Sequence, residues 1–307
     1  MQIQWYPGHM HKAGKEIKEI LPKIDIVIEI LDARIPFSSA NPFLTQLRGD
    51  KPCLKVLNKS DLADPELTDV WQRYLEREHG VKTLALTSRE PEKVRKIAEL
   101  CRKMLPELVQ NDRIVQALIM GIPNVGKSTL INVLAGRTVA KTGNEPAVTK
   151  TQQRIAIGNN VVLLDTPGML WPNIENHNSG YRLAATGAIK DTALQHEHIA
   201  AFVAGYLGQH YAACLHDRFQ LQQIPESAAA VLEAIGRKRG CLRARGLVDL
   251  DKAAKIVLAE LRSGALGRIS LETPAMMEQE LAEVAVIREQ KAEKKRLRKQ
   301  NRGFSEG

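Results

Sequence analysis

Short apolar runs broken by polar clusters dominate the first half of the chain. Residues 24–31 (Ile-Asp-Ile-Val-Ile-Glu-Ile-Leu), 52–57, 81–87 and 114–120 each read as a buried strand. Two further runs, 153–157 and 161–164, flank Gly158-Asn159-Asn160 and predict a hairpin. Helical stretches are expected between them, at about 8–21, 65–79, 91–105 and 127–135. Strands alternating with helices predict an α/β fold, a mostly parallel six-stranded sheet covered on both faces. After Gly168 the pattern changes. Residues 170–193 are mixed, with Pro172, Gly180 and Gly187, and read as a connection. From 196 onward the chain reads as helical, at 196–214, 226–238, 249–263 and 275–300. The expected division is an α/β domain over 1–178, a linker over 179–195, a small all-helical domain over 196–287 and a basic tail over 288–307.

Polar motifs follow the strands. Asn58-Lys59-Ser60-Asp61 follows the second, Thr87-Ser88 ends the third, Gly121-Ile122-Pro123-Asn124-Val125-Gly126-Lys127-Ser128 follows the fourth, and Asp165-Thr166-Pro167-Gly168 follows the last. The carboxyl ends of strands are where ligands bind in open α/β sheets. The glycine-rich stretch lies between a strand and a helix, the context of a P-loop. Its backbone N–H groups, with the helix N-terminus, suit phosphates. Asn124, Val125, Gly126, Lys127, Ser128 and Thr129 are therefore candidate phosphate contacts. Lys127 is expected on the β- and γ-phosphates as a catalytic group, and Ser128 on Mg²⁺. Asp165 suits the Mg²⁺ shell, and the Gly168 N–H suits a γ-phosphate. Asp61 can accept from guanine N1–H and its exocyclic amine, donors that adenine lacks. Asn58, Lys59, Ser60 and Asp61, with a backbone N–H at Thr87 or Ser88 for the guanine O6, thus select GTP. Within the polar stretch 138–152, Thr149 is the candidate second Mg²⁺ ligand, with Thr151 as the alternative.

In an ordinary small GTPase the phosphate loop precedes the guanine motif. Here the order is reversed, as in a circularly permuted P-loop G domain. Together with Trp5-Tyr6-Pro7-Gly8-His9-Met10 and Asp32-Ala33-Arg34-Ile35-Pro36, this order resembles the ribosome biogenesis GTPase A family, the YlqF type. The resemblance covers the whole G domain, and the helical C-terminal region fits in kind. Ala147 departs from it, standing where the family carries Gly before a Val-Thr pair. The resemblance implies a slow GTPase, stimulated by the particle, that binds the large ribosomal subunit precursor late in assembly and contacts its rRNA through the C-terminal helices. It also implies K⁺ held at Asn124, or a catalytic approach of His9 to the γ-phosphate. Either would answer the absence of a water-orienting Gln after Gly168, where Met169 stands.

Charge sharpens the partner. Of the net +9, residues 288–302 carry +6 and residues 236–246 carry +5, which leaves −2 over the rest. Arg237, Lys238, Arg239, Arg243 and Arg245, with Lys294, Lys295, Arg296, Arg298 and Lys299, are candidate RNA contacts. Few aromatics accompany them, so phosphate contacts and shape recognition are expected rather than base stacking. Neither a signal segment nor a membrane span is read, so a cytoplasmic protein is expected, with no membrane and no obligate protein partner. Cys53, Cys101, Cys214 and Cys241 lack metal-ligand spacing. Competing functions are a P-loop NTPase acting on a small molecule or tRNA, and an RNA-binding factor using GTP only as a structural ligand.

Overall fold

The structure is a computed structural model that describes residues 8–140, 153–171, 174–189 and 195–303, without the side chains of 9, 11–13 and 295–303. Helix α1 (Gly8–Ile20) leads into β1 (Ile26–Asp32), followed by the short α2 (Pro36–Ser39) and α3 (Pro42–Arg48). Then come β2 (Cys53–Asn58), α4 (Pro65–Leu75), β3 (Val81–Ala85), α5 (Pro91–Lys103), α6 (Pro106–Gln110), β4 (Val115–Gly121) and α7 (Lys127–Ala135). The hairpin β5 (Arg154–Ala156) and β6 (Val161–Asp165) closes the sheet. The helical part is α8 (His177–Ala185), α9 (His196–His210), α10 (Ala212–Phe219), α11 (Ala228–Lys238), α12 (Leu250–Ser263) and α13 (Pro274–Gly303).

The sheet order is β3-β2-β1-β4-β6-β5, and every pairing is parallel except β5 with β6. Strands β1 and β2 are buried along their whole length, as strands covered on both faces must be. Register then places the site. Asp32 pairs with Asn58, Ile30 with Gly121, and Ile119 with Asp165. The ends of β1 and β2 are therefore level, β4 stops two residues short of β1 and β6 two residues short of β4, and the three polar motifs all leave the sheet at the carboxyl ends of its strands.

Local chemistry starts the helices where the chain needs to turn back. Pro65 begins α4, and the Asp64 carboxylate accepts from the Glu66 and Leu67 N–H groups. The apolar core runs without interruption from the sheet into α9, α11 and α12. A smaller cluster joins Ala33, Leu57, Ala63 and Trp71 to Met277 of α13. The C-terminal helix thus packs back onto the G domain. Among the described residues, no helix is long and apolar enough to cross a membrane.

Two stretches differ from the sequence expectation. The segment expected as a 179–195 linker is helical as far as Ala185. Arg182 anchors it, donating to the Leu271 carbonyl at 2.9 Å and forming a buried ion pair with Glu280 of α13 at 2.7 Å. The expected helix 196–214 breaks at Tyr211 (φ −136°, ψ 42°). There the phenol O–H donates to the Asp64 carboxylate at 3.1 Å and lies 3.3 Å from the Ser270 carbonyl oxygen. Both partners are remote in sequence, so periodicity could not reveal them.

Candidate functional site

The guanine motif and the phosphate loop are held together by direct bonds. Asn58 Nδ2 donates to the Val125 carbonyl at 2.8 Å. Lys59 Nζ donates to the Asn124 carbonyl at 2.8 Å and to Asp32 Oδ2 at 2.9 Å. Gly126 sits at φ +95°, and a Cβ there would collide with Asn58 Nδ2. Glycine is thus required twice over, for its dihedral and for the close approach.

Asp32 is itself clamped. Arg34 donates to its two oxygens at 2.9 and 2.7 Å. Burial pushes the Asp32 carboxyl up, but Arg34 and Lys59 outweigh it and hold the group well below the usual carboxylate range. The same Arg34 donates to the Leu261 carbonyl of α12 at 3.3 Å.

On the other side of the loop, Lys127 and Asp165 form a buried ion pair. Burial works against both charges, lowering the Lys127 ammonium and raising the Asp165 carboxyl, with their mutual attraction offsetting only part. Asp165 Oδ2 is buried without a hydrogen-bond partner among the described residues. An orphaned carboxylate oxygen on Asp165, together with the Ser128 hydroxyl in the first turn of α7, offers hard oxygen donors of the kind that suit Mg²⁺. Gly168 presses against the loop from this side, since a Cβ there would lie 3.1 Å from the Pro123 backbone. The Met169 N–H donates to the Gly121 carbonyl at 3.1 Å, and the Met169 side chain is buried. It packs into the core cluster, and a thioether has no group to orient a water.

At the guanine end, the half-buried Asp61 carboxylate pairs with Arg89 at 3.2 Å. The Ser60 N–H donates to the Leu86 carbonyl at 3.1 Å, so the loop after β2 is fastened to the loop carrying Thr87 and Ser88. Asn58, Lys59, Ser60, Asp61, Thr87, Ser88, Asn124 to Thr129, Asp165 and Gly168 thus lie along one edge of the sheet. His9 lies in the first turn of α1, but its side chain lies outside the described residues, as do Thr149 and Thr151. Asn124 Nδ2 donates to the Gly187 carbonyl, just past α8, at 2.8 Å.

The basic candidates are divided. Arg237, Lys238, Arg243, Arg245 and Lys294 are exposed. Arg237 pairs with Glu233 and Arg243 with Asp249. Arg239 is engaged within the domain, paired with Glu260 and 5.1 Å from the Phe219 ring centroid. The side chains of Lys295, Arg296, Arg298 and Lys299 lie outside the described residues. Sequence reasoning did not single out Gly187, Arg268 or Glu272 as parts of this assembly. No motif marks them, because their partners lie 63 to 235 positions away.

Known proteins match this arrangement. Residues 116–218 match the family model described as 50S ribosome-binding GTPase. The chain is 44% identical over 296 residues to the ribosome biogenesis GTPase A of Bacillus cereus, covering 94% of this chain and all of that protein. It belongs to the ribosome biogenesis GTPase A family. As a member it is a GTPase, hydrolysing GTP to GDP and phosphate. It is also 36% identical over 300 residues to the mitochondrial ribosome-associated GTPase 1 of Mus musculus, covering 88% of this chain and 90% of that one. The GNP-bound YlqF from T. maritima superimposes with a TM-score of 0.58 at 28% identity, covering 86% of this chain and 98% of that one. The circularly permuted G domain expected from motif order is thus the fold of the family.

Proposed function

We propose that this GTPase binds the large ribosomal subunit late in assembly and changes its affinity for the particle with nucleotide state. The observation that carries the reading is the bond from Asn124, inside the phosphate loop, to Gly187, where the chain leaves for the helical part. Arg262 of α12 donates to the Ala184 and Ala185 carbonyls immediately before it. A rearrangement of the loop on hydrolysis therefore reaches the C-terminal helices through contacts already in place. The exposed arginines and lysines of that part supply phosphate contacts to rRNA. Relatives named for ribosome biogenesis and ribosome association support this direction.

Within the site, Asp61 reads guanine, while the loop amides of 124–129 and Lys127 hold the phosphates. Ser128, Thr149 and Asp165 are the residues that would hold Mg²⁺, whose charge neutralises the β- and γ-phosphate oxygens when it is bound. With Met169 buried, turnover alone is slow and the particle completes the site. Asn124 with K⁺, or His9, supplies the missing group. Equal turnover on the large subunit in Na⁺ and in K⁺ removes the Asn124 assignment. Full subunit-stimulated turnover in a folded His9→Ala variant removes the His9 assignment. The reading as a whole is tested by affinity capture with the non-hydrolysable GTP analogue bound. Recovery of large-subunit precursors is the expected result, and recovery of no ribosomal particle contradicts it.

A further inference from the structure

The guanine-reading loop is overlaid by a strap from the helical half of the chain. Between α12 and α13, the Ile269 N–H donates to the Leu62 carbonyl at 2.9 Å and the Leu271 N–H donates to the Arg34 carbonyl at 2.8 Å. The Asp64 N–H donates back to Ser270 Oγ at 3.2 Å. Arg268 lies in the middle of this strap. Its Nε donates to the Ala63 carbonyl at 3.0 Å and its Nη2 to the Ser60 carbonyl at 3.2 Å. These two carbonyls flank Asp61 on either side in sequence. The same guanidinium forms one wall of an open pocket of about 390 Å³, whose other walls are Ser60, Asp61, Thr87, Glu90 and Lys93. The pocket thus contains Asp61 and Thr87, two of the residues assigned to guanine.

We infer that Arg268 is a positioning residue for guanine recognition. It spans the 60–63 turn with a planar fork of donors and fixes the backbone from which the Asp61 carboxylate projects. A lysine presents its donors from a single point and cannot span two carbonyls with the same geometry. Arg89 holds the carboxylate itself, so Asp61 is restrained from the side chain by one arginine and from the backbone by another. Its second consequence is that the C-terminal half of the chain contributes directly to base selection. The inference rests on the assignment of Asp61 as the guanine reader.

The test uses the full-length protein titrated with GDP and with IDP, which lacks only the exocyclic amine. Phosphate and ribose contacts, and the N1–H that IDP keeps, cancel in the ratio of the two affinities, so the ratio reports the hold of Asp61 on the exocyclic amine. In Arg268→Ala, GDP affinity is expected to fall about tenfold, the size of one lost charge-assisted interaction. IDP affinity should fall much less, so the ratio shrinks. Arg268→Lys should lie between wild type and Arg268→Ala. Unchanged GDP affinity in Arg268→Ala overturns the inference, as do equal losses for GDP and IDP. Asp61→Ala separates the two levels of the argument. If it leaves the ratio at the wild-type value, the guanine assignment fails and the inference with it. If it collapses the ratio while Arg268→Ala does not, only the role of Arg268 fails.

Discussion

The Asn58 side-chain amide donates to the Val125 carbonyl oxygen across 2.8 Å, joining residues 67 positions apart. Through this bond the first residue of the guanine motif forms part of the wall of the phosphate loop. The permuted chain order therefore leaves no gap between base recognition and phosphate recognition. Both motifs follow the carboxyl ends of the adjacent strands β2 and β4, with β1 between them.

Asn58→Ala removes that bond and leaves a buried carbonyl without its donor. A loss of about 1–3 kcal/mol in unfolding free energy is expected without nucleotide. GDP affinity should drop together with stability, because the loop it shapes loosens. Chemical denaturation and a GDP titration on the same variant check both.

Lys127→Ala leaves Asp165 buried without its cation. GTP turnover should fall by about 10²–10³, the scale for removing one donor preorganised for developing charge. The Asp165 carboxyl, already raised by burial with Lys127 only partly countering it, should rise further and become protonated closer to neutral pH. Single-turnover hydrolysis and carboxyl titration by NMR measure the two effects.

The Asp32–Arg34–Lys59 cluster sets an acid limit. The Asp32 carboxyl is depressed in the folded chain and ordinary, about 3.9, in the unfolded one. Its contribution is therefore complete above the unfolded value and is lost as pH falls below about 4 toward the folded value. Asp32→Asn should cost about 3–5 kcal/mol at neutral pH, because it strands the buried Arg34 guanidinium and removes the partner of the half-buried Lys59. Its stability should then vary less with pH on the acid side than that of the wild type. Denaturation midpoints from about pH 3 to pH 7 test the sign.

Much of this site was legible in the sequence because its chemistry is local. The P-loop, Asn58 to Asp61 and Asp165 to Gly168 each sit at the end of an apolar run, and the run itself predicts the strand. The order of motifs carried the permutation, and the apolar periodicity placed most of the strands and helices. What stayed hidden was set by distant partners. Tyr211 breaks a periodic helix to reach Asp64, Arg182 anchors the helix that runs into the first part of the expected linker, as far as Ala185, and Glu272 caps α2 by accepting from the Phe37 and Ser38 N–H groups at 2.6 and 3.0 Å. Basic clusters were visible as charge, but the internal pairing of Arg239 with Glu260 depends on how α11 and α12 meet.

In the proposed function, nucleotide state at the phosphate loop governs binding through the Asn124–Gly187 connection. The most direct measurement is the affinity of the purified protein for immature large ribosomal subunits, with GDP and with a non-hydrolysable GTP analogue, at one fixed salt concentration. Clearly tighter binding is expected with the analogue. Equal affinity in the two states contradicts it.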